Sequence, residues 1–141
     1  MENFKLENDI HLFCVRADSF PAGIKAAQEK LAATLKPGGK RNYFGVSYLY
    51  DDKILYMAAA ELKSVEKVPA DCETYTLLKG NYISIYIGDF AKDTTRINQA
   101  FKTLLNDPRI DENGCCAECY LPEGADHNAA KNVRCMVRLA D

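Results

Sequence analysis

The order of predicted elements repeats along the chain, and this repeat constrains the fold more than any other feature. Each half shows a strand pattern, a helix pattern and two further strand patterns. Each unit leaves one apolar sheet face that its own helix can cover. The predicted halves span about 9–62 and 73–139. We therefore expect an α+β fold: two strand–helix–strand–strand units related by a pseudo-twofold axis, forming an antiparallel sheet with helices on one face and a ligand cleft on the other.

The helix limits follow from capping residues. Ser19 is placed to cap the first helix, which Pro37 and the glycines after it would end. Asp93 or Thr94 would cap the second helix, and Pro108 lies just past its end. The strand patterns fall at 9–15, 43–50, 54–62, 73–88, 115–121 and 133–139, with a break at Lys79–Gly80.

Chain length and net charge indicate how many domains to expect and which partners are excluded. The 141 residues suit one domain, 1–141, and a net charge of −2 offers no basic surface for nucleic acid. No apolar run approaches the length of a membrane span, and the first ten residues lack the pattern of a signal peptide. We therefore expect a cytoplasmic protein with reduced thiols that binds neither nucleic acid nor a membrane directly.

The strand face predicted to lie opposite the helices is rich in aromatic residues and methionines. Such residues beside a few charges are typical of ligand cavities, although a sheet face that contacts another molecule, or simple strand preference, explains the same pattern. The candidate ligand-binding residues are Phe44, Tyr48, Met57, Glu61, Tyr82, Tyr86, Glu118, Tyr120, Met136 and Arg138.

Glu118 is the unusual residue in a strand whose other residues are small or apolar. If the last two strands pair across the 122–132 loop, Met136 lies opposite Glu118, with Arg134 and Arg138 as diagonal neighbours. One interpretation is a structural Glu–Arg network. The other is a cavity carboxylate that binds an organic cation among tyrosines, or one with a raised pKa that acts as a general acid. Glu61 is a weaker second candidate.

Three of the six cysteines fall within "CCAEC", where Cys116 and Cys119 form a C-x-x-C. In an extended strand these two side chains point to opposite faces, too far apart for a disulfide. The other cysteines are scattered and His11 and His127 form no pair, so we predict no metal site and no cofactor.

Several segments together resemble the GyrI-like small-molecule-binding domains, the effector-binding superfamily of AraC-type and multidrug-responsive activators. They are "PAGIKAAQEKL", "YFGV", "YMAAAEL", "LLKGNY", "INQAFKTLL" and above all "AECYLP". The resemblance covers about residues 5–140. It implies a ligand cleft between two repeated units, in which Glu118 faces lipophilic cations. Two departures stand out: the chain has no Trp, and the domain leaves no room for a helix-turn-helix segment.

Three function hypotheses follow. The first is a stand-alone cytosolic binding protein for aromatic or lipophilic cationic compounds, in toxin protection or transcriptional regulation. The second is a hydrolase of strained electrophilic natural products, an activity that the resemblance implies, with Glu118 or, less strongly, Glu61 as catalytic residue. The third is a gyrase-inhibitor-like interaction module with a protein partner, and a homodimer is a further expectation.

Overall fold

The computed structural model describes residues 1–34, 42–50, 52–63, 67–121 and 132–140. Within these residues the strands are β1 (Glu2–Leu6), β2 (Ile10–Arg16), β3 (Tyr43–Tyr50), β4 (Lys53–Glu61), β5 (Glu73–Leu77), β6 (Gly80–Ile87), β7 (Cys116–Leu121) and β8 (Asn132–Arg138). The helices are α1 (Ile24–Thr34) and α2 (Thr95–Leu105), and a short 3-10 turn at Phe90–Lys92 precedes α2.

The described strands form one antiparallel sheet in the order β1-β6-β8-β7-β3-β4-β2-β5. This order is symmetric. If β1 is exchanged with β5, β2 with β6, β3 with β7 and β4 with β8, the same order is obtained from the opposite edge of the sheet. β3 and β7 lie at the centre and pair with each other. Each edge strand pairs with a strand of the opposite half, β1 with β6 and β5 with β2.

The sheet curls into a half-barrel whose inner face is a packed core. Its largest buried side chains come from strands of both halves, because the curl brings distant strands together. They include Leu12, Leu77, Tyr82 and Met136, each no more than 1% exposed. Apolar side chains are buried on both faces of the half-barrel, in the inner core and under the helices, and this burial is the main stabilising contribution that the strands make.

Both helices pack on the outer face, as the sequence predicted. α1 covers β2 and β4, where Ala27 and Leu31 contact Phe13 and Tyr56. α2 covers β6 and β8, where Leu104 packs among the apolar residues of those strands. The central pair β3 and β7 lies between the strands that the two helices cover, and its outer-face side chains, apart from the buried Gly45, are only partly covered.

The predicted strand limits agree with the structure to within one or two residues, and the predicted break at Lys79–Gly80 separates β5 from β6. The predicted start of the first helix at Ser19 is wrong, because a turn comes first: the Ser19 carbonyl accepts a hydrogen bond from Gly23 N and α1 begins at Ile24. β1 was not predicted. The predicted end of the first helix, around Pro37, lies outside the described residues.

Asp93 fixes the start of α2. Its Oδ1 accepts hydrogen bonds from the Thr95 backbone N–H at 3.1 Å and from the Thr95 hydroxyl at 2.5 Å. These bonds hold the pKa of the Asp93 carboxyl below its usual range.

We expect Asp93→Ala to lower the melting temperature by a few degrees at pH 7, because it removes an acceptor at a helix start. Since the folded-state pKa is lowered, this stabilisation is complete above the unfolded-state pKa and is lost as pH falls through the folded-state value. The difference between wild type and variant, measured by thermal unfolding monitored by circular dichroism, should therefore shrink below about pH 4. Asp93→Asn keeps an acceptor and serves as the control; a difference that is constant with pH would contradict this account.

No helix in the described ranges is long and apolar enough to cross a membrane.

Candidate functional site

The outer-face side chains of β3 and β7 lie between α1, which packs on β2 and β4, and α2, which packs on β6 and β8. They form the floor of the strip of sheet between the two helices. We call this feature the inter-helix groove. Its floor consists of Tyr43, Gly45 and Ser47 on β3 and Cys116, Glu118 and Tyr120 on β7. Gly45 is buried, whereas the other five residues keep part of their surface accessible.

Glu118 lies on this outer face, and the prediction that it lies on the face opposite the helices is wrong. The structure pairs Glu118 with Cys135 of β8 and with Gly45 of β3, whereas the predicted pairing put Met136 opposite it. A slip of one residue moves every side chain of a strand to the other face. Cys116, Glu118 and Tyr120 therefore lie on the helix side.

Gly45 makes room for the Glu118 carboxylate. A Cβ atom at Gly45 would lie 2.9 Å from Glu118 Oε2 and 2.7 Å from the Tyr56 hydroxyl oxygen. The carboxylate and the hydroxyl therefore lie directly on the bare backbone of β3. Tyr120 donates a hydrogen bond of 2.5 Å to Glu118 Oε1, and Gln28 of α1 donates one of 3.3 Å to the Tyr56 hydroxyl.

The surroundings of Glu118 disfavour its ionised form. Burial raises the pKa of its carboxyl above the usual range, and the hydrogen bond from Tyr120 opposes part of this effect. Burial and then the nearby Glu118 charge raise the pKa of Tyr120 and of Tyr56. Burial, followed by the charges of Cys115 and Glu118, raises the pKa of Cys116 to about 11, so the Cys116 thiol is protonated at neutral pH.

The two arginines predicted as diagonal neighbours of Glu118 bond elsewhere. Arg134 Nη1 donates to Glu2 Oε1 at 2.8 Å and to Ser84 Oγ at 3.0 Å. Arg138 Nη1 donates to the carbonyl oxygens of residues 78 and 79 at 3.2 and 3.0 Å. Among the residues that the structure describes, Glu118 forms no ion pair, and its hydrogen-bond partner is Tyr120.

A cavity of about 310 Å³ opens beside Cys116 and Ser47, at one end of the inter-helix groove. Phe101 and Leu105 of α2 and Phe20, just before α1, form much of its apolar wall. It is also lined by Tyr48, Leu49, Ile54, Asn98, Ile110, Asp111, Glu112, Gly114 and Val137. Its volume falls at the lower end of the range for small-molecule sites.

Four of the other eight predicted site residues lie in the inner core. Phe44, Met57, Tyr82 and Met136 are at most 5% exposed, so the face that the sequence analysis assigned to a ligand cleft is closed by packing of the curled sheet.

The remaining predicted residues lie outside the inter-helix groove floor. Tyr48 stacks on Tyr75 with ring centroids 5.9 Å apart, and it also belongs to the lining of the cavity. Tyr86 is exposed beside Arg134, Arg138 lies over the Tyr82 ring, and Glu61 lies at the end of β4 opposite Leu12. The structure thus brings together two of the predicted residues, Glu118 and Tyr120.

Gly45, Tyr56 and Gln28 were not among the predicted site residues. An isolated glycine within a strand pattern often marks close approach by another group, and Gly45 in "YFGVSYLY" carried that signal. No local signal points to Gln28, because its contact with Tyr56 depends on how α1 packs.

Cys116 and Cys119 lie on opposite faces, as predicted: Cys116 packs with the α2 side and Cys119 with the inner core. All six cysteines are free. No group of three or more potential metal ligands occurs in the described part of the chain, and His127 lies outside it.

No family model and no curated protein matches this chain. Several solved structures share its fold. An integron cassette protein from the mobile metagenome of Vibrio cholerae has a TM-score of 0.67 at 13% identity, over 99% of this chain and 95% of that one. SAV2435 bound to tetraphenylphosphonium has a TM-score of 0.68 at 12% identity, over 99% and 94%. A hydrolase from Listeria innocua has a TM-score of 0.54 at 12% identity, over 99% and 91%. At these identities the likeness establishes the overall fold, which this chain shares with all three.

Proposed function

We propose that this protein binds aromatic or lipophilic organic cations in the inter-helix groove, with Glu118 as the counter-charge. The observation that carries the proposal is a largely buried carboxylate that has a tyrosine partner and no cationic partner among the described residues. A buried charge without a counter-ion is costly, and a cationic ligand would remove that cost.

The groove offers a cation more than one kind of attraction. The Tyr120 ring packs edge-on against Phe90 at 5.5 Å, and the Phe20 ring lies 6.4 Å from that of Tyr56. Aromatic faces attract cations, most strongly where water is excluded, and they pack against the apolar part of the same ligand. A carboxylate alone would favour small hydrated cations, so the aromatic walls select lipophilic ones.

The fold comparison supports this choice, since the neighbour SAV2435 was solved bound to a lipophilic cation. We further propose that the chain is a GyrI-like domain with two units related by a pseudo-twofold axis, and the symmetric strand order supports this. A cytoplasmic role in toxin protection or transcriptional regulation belongs to the same proposal.

The proposal is tested with a charged and a neutral ligand of similar shape. Isothermal titration calorimetry would compare tetraphenylphosphonium with triphenylphosphine oxide. We expect the cation to bind at least about tenfold more tightly, because only the cation compensates the Glu118 charge. Equal affinities for the two ligands would contradict the proposal.

Cation binding should weaken as pH falls. The ligand needs ionised Glu118, and burial raises the pKa of that carboxyl, so protons compete with the cation over a higher pH range than for an ordinary glutamate. Below the raised pKa, the affinity should fall by up to about tenfold per pH unit, and binding should release protons. Calorimetry at a series of pH values, in buffers that differ in ionisation enthalpy, measures both effects.

Glu118→Gln should make the remaining affinity independent of pH, whereas Glu29→Gln, on the exposed face of α1, should keep the wild-type profile. A pH dependence that survives in Glu118→Gln would assign the titration to another group.

A second function, hydrolysis, is favoured by one observation. A carboxyl whose pKa is raised by burial, and which is hydrogen-bonded to a tyrosine, has the properties of a general acid. A hydrolase from Listeria innocua shares the fold. Mass spectrometry after incubation with cyclopropane-bearing alkylators would decide, because hydrolysis adds water to the compound. Recovery of intact compound would exclude this function for those substrates.

A further inference from the structure

The cavity beside Cys116 continues the inter-helix groove beyond Glu118. On the paired strands β3 and β7, Gly45 lies opposite Glu118, and Ser47 lies opposite Cys116 one step further along. Ser47 and Cys116 are also part of the cavity wall. A ligand whose positive group contacts Glu118 can therefore extend over these two residues into the cavity.

Exposed apolar side chains surround this cavity. Four of the large hydrophobic residues with the most accessible surface belong to its lining: Phe20 at 41%, Leu49 at 71%, Ile54 at 48% and Leu105 at 48%. They come from the segment before α1, the β3–β4 hairpin and the end of α2. Apolar side chains gathered around a cavity are a feature of ligand-binding surfaces, because burial by an apolar ligand removes them from water.

The lining of the cavity also carries negative charge. Asp111 and Glu112 belong to its lining. Asp111 Oδ1 accepts a hydrogen bond from Asn113 N at 3.0 Å, and neither carboxylate is ion-paired within the described ranges. Gly114, also in the lining, is four residues before Glu118 in the chain, so the two residues are separated by no more than about 13 Å.

We propose that the groove takes an elongated organic dication. One positive group lies at Glu118, the hydrocarbon body fills the cavity against Phe101 and Leu105, and the second positive group lies at Asp111 and Glu112. This inference rests on the proposed function, because it assumes that Glu118 holds the first cation. It adds a second anionic subsite, and hence a preference for length and for two charges.

The test uses trimethylammonium probes of defined length. Calorimetry compares three ligands. The long dication is decane with a trimethylammonium group at each end, the monocation is decyltrimethylammonium, and the short dication has four methylene groups between its two trimethylammonium groups. We expect wild type to bind the long dication about fivefold more tightly than the monocation at low salt, and the short dication no better than the monocation. The preference should shrink as salt is added, because the second subsite lies at the surface.

The variant Asp111→Asn/Glu112→Gln should lose this preference while its affinity for the monocation changes less than twofold. Glu7→Gln/Glu29→Gln removes the same charge from exposed positions outside the groove and is the control. If the Asp111/Glu112 variant weakens both ligands equally, or if wild type shows no preference for the long dication, the second subsite is excluded. The monocation with Glu118→Gln tests the proposed function separately, so its failure is distinguishable from that of the second subsite.

Discussion

Replacing Glu118 by glutamine is expected to weaken tetraphenylphosphonium binding by about 100-fold while leaving the unliganded protein at least as stable as wild type at pH 7. Affinity falls because the ligand loses its counter-charge. Stability does not fall, because burial disfavours the ionised carboxyl that the variant lacks. The glutamine carbonyl can still accept the hydrogen bond that the Tyr120 hydroxyl donates.

The difference in stability between wild type and Glu118→Gln should depend on pH. The folded-state pKa of Glu118 lies above the unfolded-state value, so the folded protein holds the proton more tightly. Wild type therefore loses stability as pH rises from the unfolded-state pKa through the folded-state one, and the variant does not. Urea unfolding across this range should show a difference in free energy of unfolding that grows with pH in favour of the variant.

Glu29→Gln is the matched control, since it removes an exposed carboxylate. Unchanged affinity in Glu118→Gln would remove Glu118 from the site. A variant clearly less stable than wild type at pH 7 would show that the carboxylate has a structural role that its environment does not reveal.

Sequence patterns were sufficient for both helices, for seven of the eight described strands and, in β6 for example, for the face that lies under a helix. Ile83, Ile85 and Ile87, for example, alternate along β6 and pack under α2 as predicted. Alternation and helical stripes are local, so they can be recognised without the fold. β1 was missed although Phe4 and Leu6 alternate with polar residues, because a short edge strand of five residues carries only this weak local pattern.

The face of β7 could not be predicted from its residues. Ala117 and Cys119 are small and apolar, which suggested the helix side, but they face the inner core, which also requires small apolar side chains. Both faces of this central strand are largely buried, so alternation does not distinguish one core from the other. The predicted pairing across residues 122–132 then differed by one residue, which moved Glu118 and Tyr120 to the wrong face.

The aromatic face was misassigned for a related reason. A ligand cavity and a closed core have similar compositions, and only the curl of the sheet distinguishes them. Tyr82 and Met136 are core because the half-barrel closes over them. The Glu118 carboxylate lies instead on the central strands between the two helices, and that position depends on how the helices pack.

Gly45→Ala tests whether the bare backbone of β3 creates the site. The added Cβ would lie 2.7 Å from the Tyr56 hydroxyl oxygen, 3.0 Å from Tyr56 Cε2 and 2.9 Å from Glu118 Oε2. The Tyr56 side chain is 2% exposed and held by close packing, so it cannot move away without disturbing the core under α1. Strand propensity alone would favour alanine over glycine here, so a loss of stability would come from these contacts.

We expect Gly45→Ala to lower the free energy of unfolding by about 2 kcal/mol and to weaken cation binding by about 100-fold, because the carboxylate is displaced from the groove floor. Gly88→Ala is the matched control: its Cβ would come no closer than 3.6 Å to a neighbour, so stability should stay within about 0.5 kcal/mol of wild type. Urea unfolding and calorimetry measure the two effects.

Adding Tyr56→Phe to Gly45→Ala separates the two contacts. Removing the hydroxyl eliminates the shortest of them, so the double variant should be more stable than the sum of the single changes predicts. Cation binding should stay weak, because the added methyl group still occupies the position next to Glu118 Oε2. If the double variant instead binds as tightly as wild type, it is the Tyr56 hydroxyl, and not the space at Gly45, that positions the carboxylate.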